Sequence, residues 1–411
     1  MRPAKRCFKG AEGEIFLGKF VYADNAATTP VSREVLDAML PCFEECWGNP
    51  SSAHSKGIEA KDILEDARAR IARVLGASGA EIYFTSGGTE SDNWAIRGAA
   101  MKMKGKGRCG IVTSKIEHHA VLHTCESLAK EGFDVKYVSV DADGVVDLDE
   151  LRSMVDENTG VVSIMYANNE VGTIQPVAEI GEIAHKAGAL FHTDAVQAVG
   201  QMHIDLSSLP IDMLSLSGHK LHAPKGIGAL YIKKGVAINN LIEGGGQEKS
   251  RRGGTENLPY IVGLAKAMEI AEEKLPDLTR VEKMRDRLIN ELTKIPYSKL
   301  NGHRTKRLAG NANIGFEFIE GESMLLWLDI SGICASTGSA CSSASLDPSH
   351  VLLAMGVPHE RAHGSLRLSL SHDTTEEDVD YIIEKLPPIV EKLRNMSPLW
   401  EEVCKKEGIK V

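Results

Sequence analysis

The segment VVSIMYANNEVGTIQPVAEIGEIAHKAGALFHTDAVQ, residues 161–197, decides the fold. It opens on an apolar run, turns through the polar stretch NNE, passes into PVAEIGEIAHKAG and closes on a second apolar run, ALFHT. In the middle part Val177, Ile180, Ile183 and Ala187 recur at helical spacing, so it reads as a helix with one apolar face. The flanking runs are apolar at successive positions, the mark of strands buried on both faces. Strand, helix and strand in that order make a crossover unit, which lays the two strands parallel in one sheet.

The same alternation extends outward from about Glu81 to Lys233, where EIYFT, CGIVTS, DMLSLS and GALYIKK read as further buried strands. A largely parallel sheet covered by helices is therefore expected. Before it, Ile63, Ala67, Ile71 and Val74 mark another helix that ends near Gly76. After Pro276 the chain changes character. A long charged helix, the segment GNANIGFEF, a Gly/Ser/Ala-rich stretch around Cys341 and a final helix with a polar tail point to a second, smaller α+β unit. No internal repeat or long linker interrupts the chain.

Composition agrees. The 411 residues are 43% hydrophobic, 25% charged and 5% aromatic, which excludes collagen-like, coiled-coil and low-complexity chains. At about 150 residues per domain, two or three structural units are expected. A chain of this length buries about three-quarters of its unfolded surface, so its core needs no disulfide or metal. The 8 cysteines are scattered without paired CxxC spacing, which fits neither a secreted framework nor a zinc module. Cys42 and Cys46 are four apart, but no histidine pair completes a metal site. A reducing cytoplasm is the expected compartment. The net charge of -10 and the lack of a long basic run argue against direct nucleic-acid binding. No run of about 18 apolar residues could span a bilayer, and MRPAKRCFKGAEGEIF reads as a short leader without a signal-peptide core.

The polar residues fall in a telling place. SGGTES, KIEHH, NNE, TDAVQ and SGHK each follow an expected strand. In an open α/β sheet, ligands bind beyond the carboxyl ends of the strands, so these five ends describe a site. The glycines of SGGTES, Gly88 among them, allow close backbone approach, and Thr89 lies in the first helical turn, a place for a phosphate. The same turn also reads as an ordinary N-cap. Neither GK[ST] nor GxGxxG follows a strand, so ATP and NAD are disfavoured.

Asp194, at the end of a buried strand, needs a cation beside it or serves as a helix cap, and Gln197 offers an amide nearby. Lys220, among small residues and histidines, suits a desolvated amine nucleophile. His118 and His119 could stack on a flat ring or move protons. RRGGTEN, at Arg251 to Asn257, reads as a second phosphate clamp, an interface loop or a solvated turn. Cys341 lies among Ser, Ala and Gly, which predicts an exposed, mobile loop bearing a reactive thiol. Arg367 alternates with apolar residues in SLRLSLS, so it points inward to hold a carboxylate.

Together these residues resemble the cysteine desulfurases of the NifS/IscS kind, within the fold-type I pyridoxal-phosphate enzymes and the class V aminotransferases. The likeness runs from YADNAATTP at Tyr22 to SPLW at Ser397 and includes, in order, GNPSSAH, TSGGTESDN, EHHAV, ANNEVGT, HTDAVQ, SGHKLHAPKG, RRGGTEN and GSACSSAS. The resemblance implies an aspartate-aminotransferase-like α/β fold with a mainly parallel seven-stranded sheet. Residues 31–277 would form a large cofactor domain, and residues 1–30 with 278–411 a small domain carrying a catalytic loop at about 336–348. It implies pyridoxal 5'-phosphate held on Lys220, with Asp194 at the ring nitrogen, His118 stacked on the ring and Gln197 at the phenolic oxygen. Gly88, Thr89, Ser217 and His219, with Thr255 from a second subunit, would hold the phosphate. Asn169 would touch cofactor and substrate, and Arg367 the substrate carboxylate. Catalysis would rest on Lys220, His118 and Cys341, whose persulfide is passed to an iron–sulfur scaffold or another acceptor protein, with Cys341 as a transient cluster ligand and no intrinsic metal. A homodimer acting on L-cysteine is implied, in the group with a long cysteine loop. The tail EEVCKKEGIKV is shorter than that of housekeeping members. A selenocysteine lyase, a related class V aminotransferase and a non-catalytic sulfur-transfer scaffold are the alternatives.

Overall fold

The computed structural model describes residues 19–337 and 348–408. Its strands in chain order are β1 (Val21–Tyr22), β2 (Ile82–Thr85), β3 (Gly110–Ser114), β4 (Asp134–Val138), β5 (Thr159–Ser163), β6 (Leu190–Asp194), β7 (Met213–Ser217), β8 (Gly228–Ile232), β9 (Ser298–Asn301), β10 (Asn311–Phe316), β11 (Ile333–Cys334) and β12 (Ser365–Ser369). Seven of them form one sheet in the order β2-β8-β7-β6-β5-β3-β4. Only β8 runs against its neighbours. The segment 161–197 gives the expected crossover: β5, the Val177–Lys186 helix and β6, with β5 and β6 paired in parallel.

The continuous apolar runs arise because the sheet has a core on each face. Ile82, Phe84, Val112, Val162, Leu214 and Ala229 face the helices Ser55–Val74, Val177–Lys186 and Leu258–Glu273. Their neighbours Tyr83, Ile111, Val161, Met213 and Leu230 face the helices Gly88–Lys104 and His119–Lys130. Edge strand β4 escaped the sequence reading because only Val138 of DVKYV is buried. A separate core joins both parts of the chain that flank this unit: Val21 and Ala23 pack with Val281, Leu288, Ile314, Phe316, Leu366 and Ile382. There β12, β10 and β9 form an antiparallel sheet, and β1 pairs in parallel with β11. The expected polar tail is itself helical, since Glu376–Asn395 is followed by a further helix, Pro398–Glu407. Among the described residues, no helix is long and apolar enough to cross a membrane.

An ion pair closes the β2 edge of the large sheet. Arg68 Nη1 donates to Ile82 O at 2.9 Å, and Glu248 Oε2 accepts from Phe84 N at 2.9 Å, so two side chains satisfy backbone groups that β8 does not reach. Arg68 and Glu248 are themselves joined by two hydrogen bonds of 2.7 and 2.9 Å, and both side chains are buried. Glu248, Lys249 and Ser250 lie at positive φ of 45°, 59° and 63°, a conformation that residues other than glycine resist. Replacing Glu248→Ala strands a buried guanidinium and an amide, so it is expected to lower the unfolding free energy by about 3–5 kcal/mol. Chemical denaturation measures this, and a loss below about 1 kcal/mol would show that the pair is not needed.

Candidate active site

Strand β6 delivers Asp194 to the carboxyl end of the sheet, where the carboxylate is buried. Burial pushes its carboxyl above the usual range, while the charges of His118 and Lys220 pull it back. One oxygen caps the following turn by accepting from Val196 N at 2.9 Å, so the capping role and the cation-facing role coexist. Asp92, one turn into the Gly88–Lys104 helix, brings a second buried carboxyl; polar atoms of Asp92, His118 and Asp194 all lie within 4.8 Å of one another. Two carboxylates so close cannot both ionise cheaply. Burial, then the charge of Asp194, drives the Asp92 carboxyl far upward, so Asp92 is the member that keeps its proton.

A polar row across three strands supports this pair. His192 on β6 sits 2.9 Å from Ser163 Oγ of β5 and 2.9 Å from Ser215 Oγ of β7, and the hydroxyl of Ser215 also bonds Asp92. Burial pushes the imidazole of His192 down to about 3, so it is neutral and contributes no charge beneath Asp194.

Lys220 follows β7 in the short turn Gly218–Lys220. Its Nζ donates to Ala26 O at 2.6 Å and Ala27 O at 2.7 Å, and Gln197 Nε2 donates to the same Ala26 carbonyl at 3.0 Å. Thus the segment near Ala26 is drawn against the strand ends of the large sheet. His219 Nδ1 lies 3.2 Å from Thr28 Oγ1, and burial, reinforced by Lys220 and Lys225, pushes this imidazole down to about 4. Ser217 ends β7 beside Gly88, and a Cβ added to Gly88 would lie only 2.7 Å from Val196 Cγ2. No side chain caps the helix that begins there, so its first amides and its dipole point to the site. Thr89 is exposed at this end and lines a shallow hollow with His118.

In the RRGGTEN segment Arg252 bonds both oxygens of Glu90, at 2.8 and 3.1 Å, and Arg251 lies over the Tyr83 ring, so both arginines have partners within the chain. Thr255 is exposed on the same loop.

Arg367, on β12, is buried as its alternation implied. Nη1 donates to Asn169 O at 3.2 Å and Nη2 to Asp24 Oδ1 at 2.8 Å, while the buried Nε has no acceptor among the described residues. Cys341 lies outside the described residues, but the chain on either side of it is tied to this wall. Ser336 N donates to Arg367 O, Arg367 N to Ser336 O, and Ser365 Oγ to Thr337 O. Beyond it, Ser349 Oγ donates to Glu170 Oε2 at 2.5 Å, and His350 Nε2 sits 3.0 Å from Glu117 O.

Sequence reasoning missed Asp92, Glu117, His192 and Asp24. A signal for Asp92 existed: it follows Gly88 at helical spacing on the buried face. The residues present fit pyridoxal phosphate. An amine at Lys220, a buried carboxylate at Asp194 with a protonated acid behind it, and an uncapped helix start beside Gly88 suit its aldehyde, ring nitrogen and phosphate.

Comparison with known proteins agrees. The family described as Aminotransferase class-V matches residues 21–382. A protein named cysteine desulfurase IscS from Methanosarcina thermophila is 59% identical over 382 residues, covering 93% of this chain and 94% of the relative. Its namesake in Clostridium botulinum is 53% identical, covering 95% and 99%. A solved structure titled NifS-like protein superposes with a TM-score of 0.86 at 45% identity, covering 91% of this chain and 100% of that one. The chain belongs to the class V aminotransferase family, and its sheet and second unit have the fold-type I arrangement.

Glu117 gives a test of this buried polar ground. Ser114 Oγ and Met165 N both donate to its Oε1, yet burial raises its carboxyl from 4.5 to about 8. Between those two values the folded protein holds a proton that the unfolded chain has released, so Glu117 costs stability as pH rises across that window. Glu117→Gln is therefore expected to gain stability over the parent protein by a few kcal/mol between pH 5 and pH 8, measured by denaturant midpoints at both pH values. Identical pH profiles would contradict the assignment.

Proposed function

We propose the following roles for a chain that is a pyridoxal-phosphate-dependent cysteine desulfurase, converting L-cysteine to L-alanine with transfer of its sulfur. When bound, the cofactor supplies an electron sink that loosens bonds at the α- and β-carbons of the amino acid. Lys220 would hold the cofactor's aldehyde carbon and move the substrate α-proton at Nζ. Asp194 would keep a proton on the ring nitrogen, with Asp92 behind it as a neutral acid. His118 would stack on the ring and assist proton transfer, and Gln197 would bond the phenolic oxygen.

Gly88, Thr89, Ser217 and His219 would hold the phosphate, with Thr255 supplied by a second copy in a homodimer. The open Nε of Arg367 and the side chain of Asn169 would orient the substrate carboxylate. The Cys341 thiolate would attack the substrate sulfur: an S–S bond forms, the C–S bond breaks, and its electron pair leaves with the alanine product, which takes up a proton. The persulfide then passes to an acceptor protein, of which an iron–sulfur scaffold is the foremost class. Residues 31–277 would serve as the cofactor domain, and residues 1–30 with 278–411 as the small domain that carries Cys341. The cytoplasm is the compartment this reading favours.

The observation that carries it is the convergence of Lys220, Asp194, His118 and Asp92 at the strand ends, with both flanks of the Cys341 segment stitched to the same wall. Purified enzyme given L-cysteine and a thiol reductant is expected to release alanine. Cys341→Ala should reduce that release to background while keeping the cofactor absorbance. Alanine formation that survives the substitution would overturn the role of Cys341.

A further inference from the structure

Two histidines and an aspartate outside the cofactor set converge beside it. His222 stands two residues after Lys220, whereas His372 and Asp373 lie in the loop between β12 and the Glu376–Asn395 helix. We propose that His222, His372 and Asp373 form a binding site for a divalent cation of the Zn2+ class, which would tie the Lys220 loop to the segment after β12.

The donor set suits that ion. Candidate ligand atoms of all three residues lie within 4.8 Å of one another, and the two imidazole centroids are 4.8 Å apart at an angle of 55°. Zinc bonds of 2.0–2.2 Å place tetrahedral ligands about 3.3 Å apart, so the donor atoms would have to close by at most about 1.5 Å. Two imidazoles and one carboxylate leave a fourth position for water, and nitrogen with oxygen donors favours Zn2+ over Mg2+ or Ca2+.

Both backbones are fixed in advance. His222 sits at φ 60°, a strained position for a residue with a side chain, and is held there because His222 N donates to Thr29 Oγ1 at 2.8 Å and Ser32 N donates to His222 O at 3.1 Å. Its Nδ1 lies 3.1 Å from Pro30 O. A proton on Nδ1 given to that carbonyl leaves the Nε2 lone pair for a metal, the usual way in which an outer partner sets the tautomer of a ligating histidine. The other half is clamped by Arg280, which donates to His372 O at 2.6 Å and Thr374 O at 2.8 Å. Lys274 and Arg280 oppose a cation here, while Asp277 and Asp373 favour it.

The test is calorimetric titration of the cofactor-loaded Cys341→Ala protein with ZnCl2, the substitution removing the reactive thiol as a competing ligand. One equivalent is expected to bind, and His222→Gln and His372→Asn should each weaken that binding by at least about tenfold. An unchanged cofactor absorbance spectrum establishes that each variant is folded. Co2+ added in place of Zn2+ should give the intense visible bands of a tetrahedral site, lost in His372→Asn. Zinc that binds both variants as tightly as the parent sits elsewhere, and that result, or no zinc binding by the parent, overturns the proposal.

Discussion

The carboxylate of Asp194 is buried at the strand ends, and the site is arranged around that cost. An isolated charge so placed would be paid for by protonation, yet a ring nitrogen keeps its proton only beside an ionised partner. His118 and Lys220 supply the cationic field, and Asp92 takes the proton that two adjacent carboxyls must share. His192 adds polarity without charge, because two serines satisfy its ring and burial keeps it neutral. The strand order brings these groups together. β5, β6 and β7 are parallel neighbours, so Ser163, His192 and Ser215 meet in one row under the site.

The large sheet was legible because its strands are buried on both faces, and burial on two sides writes an unbroken apolar run. β4 was not, since an edge strand needs little apolar sequence. The site residues stood out for a related reason: Asp194, Lys220 and His118 place ionisable groups just beyond apolar runs, at strand ends. Asp92 was hidden inside a helix, where an aspartate reads as surface until its depth is known. Partners distant in sequence were illegible altogether. Nothing local to Arg68 names Glu248, 180 residues away, and nothing local to Arg367 names Asp24, 343 residues away.

The second core explains how the Arg367 side of the site is built. β12 carries Arg367 and, on the same strand, the backbone that anchors Ser336. Its apolar neighbours Leu366 and Leu368 hold it against β10 and the Leu278–Leu292 helix. One strand thus carries the buried Arg367 guanidinium and also fixes one foot of the cysteine segment. The other foot rests on Glu170, next to Asn169, so both ends of that segment report to the same few residues.

The central claim is that the cofactor is held at Lys220, with its ring against Asp194. Borohydride reduction of the purified holoenzyme, followed by mass mapping of its peptides, tests it most directly. The account predicts a single pyridoxyl adduct on Lys220. An adduct on another lysine, or none in protein that shows the cofactor's absorbance, would contradict it.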